Sequence, residues 1–251
     1  MKGTVHTHIE NAIATITFQH PASNACDPEM LAEMAGNIKN LNSHSGVKLI
    51  LLQSGGEKAF CAGASFDELV AIDDLEKGKV FFSGFAQVIN ACRTVDQLII
   101  GRVQGKAVGG GVGIASAVDY CFATQRAEVK LSELAVGIGP FVVGPAVERK
   151  IGLSAMSELA INATEWRSAA WAKSKGLYAE VFDSIEAMDE AVEKLAVRLS
   201  NSNPEAMNDL KKIFWQGTSH WDELLEERAG ISGRLVLSEF TRNAISAFKS
   251  K

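Results

Sequence analysis

Two runs of small residues constrain this chain more than anything else in it: Ala59-Phe-Cys-Ala-Gly-Ala64 and Lys106-Ala-Val-Gly-Gly-Gly-Val-Gly-Ile114. Residues this small let a backbone come close to a ligand and leave amide N–H groups facing it. A helix beginning just after such a loop adds the positive end of its dipole. Two loops of this kind can hold one developing negative charge between them, which is oxyanion-hole chemistry. Taken alone, a glycine triplet is more often a tight turn or a close packing site. It is not a dinucleotide fingerprint either, because Gly111-Val-Gly-Ile-Ala-Ser116 lacks the last glycine.

Periodicity sets both runs in a repeating α/β pattern. Residues 12–18 alternate with period two and end at His20-Pro21, as a half-buried strand does. Asp27-Pro28-Glu29 supplies an N-cap, a first-turn proline and an early acid to a helix with Met30, Leu31, Met34, Ile38 and Leu41 on one face. Residues 47–53 form a nearly continuous apolar run, the mark of a strand covered on both faces, and stop at Ser54-Gly55-Gly56. Ser65-Phe-Asp-Glu68 matches a capping box, which puts the first loop at a helix N-terminus. Phe81, Phe82, Phe85, Val88, Ile89 and Cys92 make a core stripe at helical spacing. The pattern of strand, loop and small-residue helix then recurs over 98–108 and 109–117. Short strands are predicted at 120–124 and 129–131, and helices at 154–162, 166–175 (stopped by Gly176), 185–199, 204–215 and 221–248.

A length of 251 residues, 47% of them hydrophobic and 22% charged, predicts a large buried core rather than disorder. The net charge of −5 provides no general basic field for nucleic acid or anionic lipid. Cys26, Cys61, Cys92 and Cys121 lie far apart, without CxxC or histidine spacing, and read as reduced, mostly buried thiols rather than zinc ligands. With no basic-apolar leader and no apolar run of membrane-span length, the expectation is a soluble, cytoplasmic protein with no membrane, metal or nucleic-acid partner.

Ile16-Thr-Phe-Gln-His-Pro21 with Asn24-Ala25, Lys58-Ala-Phe-Cys-Ala-Gly-Ala64, Gln104-Gly-Lys-Ala-Val-Gly-Gly-Gly111, Asp119, and Leu131-Ser-Glu-Leu134 with Gly137 and Pro140 follow one another in an order that resembles the crotonase (enoyl-CoA hydratase/isomerase) superfamily, nearly end to end. Gly-Gly-Gly-Val-Gly, Leu-Ser-Glu and the spaced Pro140 and Pro145 look nearest to its methylglutaconyl-CoA hydratase-like members. The resemblance implies an α/β fold: a spiral of ββα units forming an acyl-CoA-binding core over 1–195, with a C-terminal helical trimerisation module over 196–251. That module carries Trp215, Trp221, Leu224, Leu225, Leu235, Val236, Phe240 and Phe248, expected at subunit contacts of a homotrimer or hexamer. The ligand it implies is an acyl-CoA thioester, with no separate cofactor because coenzyme A is part of the substrate, in fatty-acid or branched-chain amino-acid metabolism.

Carried over residue by residue, the resemblance makes the amides of Ala64 and Gly110 the oxyanion donors and Glu133 the acid/base. It places Ala22, Ala62, Phe66, Gly109, Gly113, Pro140 and Phe141 around the substrate. The superfamily's other active-site glutamate falls on Gly113, which carries no side chain. Ser65 stands where aspartate is usual, and Phe141-Val-Val143 replaces the frequent Gly-Ala-Gly, narrowing the acyl pocket. The reading is a hydro-lyase acting on an α,β-unsaturated acyl-CoA with one glutamate. Its alternatives are a Δ3,Δ2-enoyl-CoA isomerase, which needs a single base, and a non-catalytic acyl-CoA-binding member.

Overall fold

The computed structural model describes residues 2–249, without the side chains of Phe248 and Lys249. It opens with a hairpin of β1 (Thr4–Glu10) and β2 (Ile13–Gln19). The strands pair antiparallel across a two-residue turn whose Asn11 and Ala12 both take positive φ, 50° and 63°, as a hairpin turn with the strand twist requires. The prediction at 12–18 matches β2. β1 escaped it because Val5 is its single buried residue, leaving no alternation to detect.

From β2 onward each strand of the main sheet is parallel to the last. β3 (Leu49–Ser54), β5 (Leu98–Val103), β7 (Tyr120–Thr124) and β9 (Glu180–Phe182) follow β2, giving the order β1-β2-β3-β5-β7-β9. After β3, β5 and β7 the chain steps across to β4 (Ala59–Cys61), β6 (Lys106–Val108) and β8 (Val129–Lys130), which form a second, three-stranded parallel sheet. Helices carry it back: α1 (Pro28–Asn40), α2 (Phe66–Val70), α3 (Leu75–Thr94) and α4 (Gly110–Ala117). This is the expected spiral of ββα turns. Its caps are local: Asp27 accepts from Met30 N at 2.8 Å and Asp74 from Lys77 N at 2.8 Å. All eight residues of α4 are buried, so the helix needs no polar face.

The C-terminal third is helical: α5 (Gly144–Ile161), α6 (Ala169–Ser174), α7 (Ile185–Ser200), α8 (Pro204–Phe214), α9 (Trp221–Leu235) and α10 (Glu239–Lys249). α5 starts ten residues before the predicted 154, because Gly144-Pro145 opens it and Gly152, at φ 79°, bends it midway. The single helix predicted over 221–248 is two, since Ser238 takes the Thr241 amide and starts α10 afresh. The expected division at 195/196 runs through α7. Trp215, Trp221, Leu225 and Ala229 are buried in the same core as the spiral, so the helical part packs on its own chain. Val236 is buried too, in a satellite cluster with Ile138 and Ile245, while Phe240 is 69% exposed. Phe248 has its side chain outside the described residues. No helix among the described residues is long and apolar enough to cross a membrane.

Asp119 pins the C-terminal helices to the sheet. Its carboxylate accepts from Lys211 Nζ of α8 (2.6 Å), Trp215 Nε1 (2.9 Å) and the Ile99 amide of β5 (2.8 Å). The motif aspartate is thus a structural anchor, buried with its lysine.

Candidate active site

Both small-residue loops lie where a strand of the small sheet runs into a helix, and they touch. Gly63 (φ 91°) and Gly109 (φ 51°) take conformations that side chains disfavour. A Cβ on Gly63 would fall 3.0 Å from the Val108 carbonyl and 3.7 Å from the Gly110 nitrogen. Around Ala64, Cys26 N donates to Gly63 O (2.8 Å) and Ser65 N to Cys26 O (2.9 Å). In such a parallel bridge the amide of the central residue points to the opposite side. Gly109 N is used by Lys130 O at 2.9 Å, whereas Gly110 opens the first turn of α4 with no preceding carbonyl to reach. Among the described residues neither the Ala64 nor the Gly110 amide donates to the protein. Two unused, adjacent donors, one backed by a buried helix, fit an oxyanion hole; each such donor contributes about 2.7 to 4 kcal/mol in a working site.

The glycine at 110 has a second reason. A Cβ there would lie 2.1 Å from Phe85 Cε1, so α3 fills the space before any ligand does.

Glu133 opens a 3-10 turn (Glu133–Val136) after β8, and that turn brings it to the first glycine of the triplet: a Cβ on Gly109 would fall 2.9 Å from Glu133 Oε1. The residue is half-buried overall, but its Oε2 is fully buried and finds no hydrogen-bond partner among the described residues. Burial pushes the carboxyl from the ordinary 4.5 up to about 7, against a smaller lowering by its own backbone. A carboxyl poised near neutrality, unpartnered, beside two free amides, has the form of a general acid/base.

At Gly113, one turn along α4, the site is closed by an apolar wall. A Cβ there would meet Val143 Cγ1 at 2.5 Å, so Val143 already fills the room of the missing side chain. Phe141 turns its ring onto Gly139, whose Cβ would sit 2.6 Å from Phe141 Cζ, and half-buried Pro140 leads into this strip. Ala22 and Ala62 are exposed on the rim, where Ala62 N donates to Ser23 O at 3.1 Å. Phe66 is directed elsewhere: it packs in the satellite cluster beneath α9 and α10. Phe85, Val143 and Arg228 of α9, which sequence reading did not place at the site, border it. Gly113→Glu is therefore expected to lower the melting temperature by both a clash and a buried charge. A calorimetric scan checks this, with Gly113→Glu/Val143→Gly recovering part of the loss.

A family model described as enoyl-CoA hydratase/isomerase matches residues 8–248. The chain belongs to that family. The family assignment rests on nearly the whole length, as do the matches to individual relatives. A short-chain-enoyl-CoA hydratase of Clostridium acetobutylicum is 28% identical over 245 residues, covering 96% of this chain and 93% of that protein. A carnitinyl-CoA dehydratase of Escherichia coli K12 is 28% identical over 227 residues, 85% of this chain and 81% of that one. The fold agrees with the crystal structure of an enoyl-CoA hydratase from Bacillus halodurans (TM-score 0.87, 22% identity, 97% and 99% covered). As a member of the enoyl-CoA hydratase/isomerase family, the chain is an enzyme.

Proposed function

We propose that this enzyme is a hydro-lyase for α,β-unsaturated acyl-CoA thioesters, with Ala64 and Gly110 holding the thioester oxygen and Glu133 as the single proton carrier. The observation that carries the reading is the unpartnered Oε2 of Glu133 against Gly109, beside two unused amides. As hydroxide adds to the β-carbon, Glu133 takes the proton of the attacking water; it then returns that proton to the α-carbon as the enolate collapses, so one group balances the reaction. A carboxyl at about 7 does both halves without a large uphill transfer. Because the first half needs the carboxylate, kcat/KM for hydration is expected to fall about tenfold per pH unit below about 7. A pH–rate profile from 5 to 9 checks this.

Val143 against Gly113 favours a second reading, migration of a β,γ double bond into conjugation. That reaction needs one base and no bound water, and an apolar wall suits it. Incubation with crotonyl-CoA and with 3-hexenoyl-CoA in ¹⁸O-labelled water, followed by mass spectrometry, separates the two. Labelled 3-hydroxyacyl-CoA supports hydration; unlabelled 2-hexenoyl-CoA alone assigns isomerisation.

The nearness to methylglutaconyl-CoA hydratase-like members, a cytoplasmic location and assembly as a trimer or hexamer belong to the same proposal. α8 leaves Ile213 and Phe214 56% and 47% exposed, apolar area that a second copy would cover.

A further inference from the structure

Arg228 is a half-buried guanidinium without an acid. Of its five N–H donors, the one hydrogen bond among the described residues runs from Nη1 to the Phe141 carbonyl, at a long 3.4 Å. Neighbouring acids on α9 are engaged elsewhere, Glu226 with Lys79 (2.6 Å) and Asp222 with Arg93 (2.7 Å). A partly desolvated arginine with most of its donors unused is unusual, since such groups are normally paired.

Its location gives the vacancy a meaning. Nη1 lies 3.6 Å from where a Cβ on Gly144 would be, so the absence of a side chain there leaves the guanidinium uncovered on that side. The same strip, 141–144, presents Val143 to Gly113, one turn along α4 from the Gly109–Gly110 pair. On the proposed reading, Glu133 addresses the α-carbon of a thioester held at Gly110. The strip then borders the acyl tail, while the phosphates of coenzyme A leave from the other side of the thioester. We infer that Arg228 receives a carboxylate at the far end of the acyl group, which makes dicarboxylic acyl-CoA thioesters the preferred substrates. The fork of a guanidinium matches a carboxylate bidentately. A tail ending in a methyl group leaves the charge unpaired, and one ending in trimethylammonium is repelled.

The inference rests on the proposed acyl-CoA reading, and its test separates the two. Dissociation constants of glutaryl-CoA and pentanoyl-CoA, saturated and equal in carbon number, are measured for the wild type, Arg228→Met and Arg228→Lys. Turnover of glutaconyl-CoA and 2-pentenoyl-CoA is measured alongside. The wild type is expected to prefer the carboxylated ligand by at least ~10-fold, the gain of a charge-assisted pair. Arg228→Met should abolish that preference with pentanoyl-CoA affinity within about twofold of wild type, and Arg228→Lys should keep part of it. Equal affinities in the wild type, or a preference that survives in Arg228→Met, overturn the inference. Turnover of 2-pentenoyl-CoA with no preference for the diacid sinks the role of Arg228 and leaves the hydratase reading intact. A ligand preference without turnover of either enoyl thioester does the reverse.

Discussion

Glu133→Gln is expected to lower turnover by ~10²- to 10⁴-fold while acyl-CoA affinity stays nearly constant, because glutamine keeps the shape of the side chain but cannot exchange a proton. The same variant should be more stable than wild type at alkaline pH. In the folded protein the carboxyl holds its proton up to about 7, and in the unfolded chain only to about 4.5. Between those values the native state binds more protons, so wild-type stability falls as pH rises, by about 3 kcal/mol once both states are ionised. Glutamine removes that penalty. Thermal melts should therefore show a gain for the variant at pH 8 and none at pH 4. Loss of turnover together with gained stability marks a group kept for chemistry at the expense of folding. Undiminished turnover would remove Glu133 from the mechanism, and a variant destabilised at pH 8 would mean that the side chain is a structural prop.

Asp119→Ala should act on the fold. It leaves Lys211, 2% exposed, without its counter-ion and the Trp215 indole and Ile99 amide without an acceptor. Breaking a buried pair by removing one partner costs ~3 to 5 kcal/mol, which for a domain of this size lowers the melting temperature by roughly 6 to 20 °C. Asp119→Ala/Lys211→Met, in which no charge is stranded, should recover part of the loss. Calorimetry on the three proteins decides. If the double variant is as unstable as the single one, the two hydrogen bonds from Trp215 and Ile99 outweigh the ion pair.

The spiral was legible because its parts obey local rules. Asp27-Pro28 caps α1, Leu98 to Val103 is apolar on both faces, and each small-residue run sits between a strand and a helix start. The elements that escaped lack those signals. β1 buries one residue of seven and owes its pairing to β2, and β9 has three residues that close the sheet edge against β7. The C-terminal division failed for a related reason: a helix that buries Trp221 and Leu225 reads the same whether it packs on its own core or on another subunit.

The site divides in the same way. Ala64 and Gly110 were readable from the loops that carry them. Glu133, by contrast, looks like any surface acid until β8 and the 3-10 turn set its carboxyl on Gly109, 24 positions earlier in the chain; what raises its pKa is burial, which no local pattern encodes. Gly110 was read as a glycine kept small for a ligand, whereas the neighbour that demands it is Phe85, a residue that had been counted as core. Arg228 stands between Leu225 and Ala229, both fully buried on the inward face of α9, and that position is the only hint its sequence offers.

The central claim is that one carboxyl, Glu133, moves the α-proton of a thioester whose oxygen is held by the Ala64 and Gly110 amides. Exchange of the α-hydrogen of butyryl-CoA in D₂O, followed by NMR or mass spectrometry, tests it without depending on whether the full reaction is hydration or isomerisation. The expected result is deuterium at the α-carbon in the wild type, at a rate that rises through about pH 7 and is lost by ~10²-fold or more in Glu133→Gln. Exchange undiminished in that variant, or none in a wild type that binds the thioester, would contradict it.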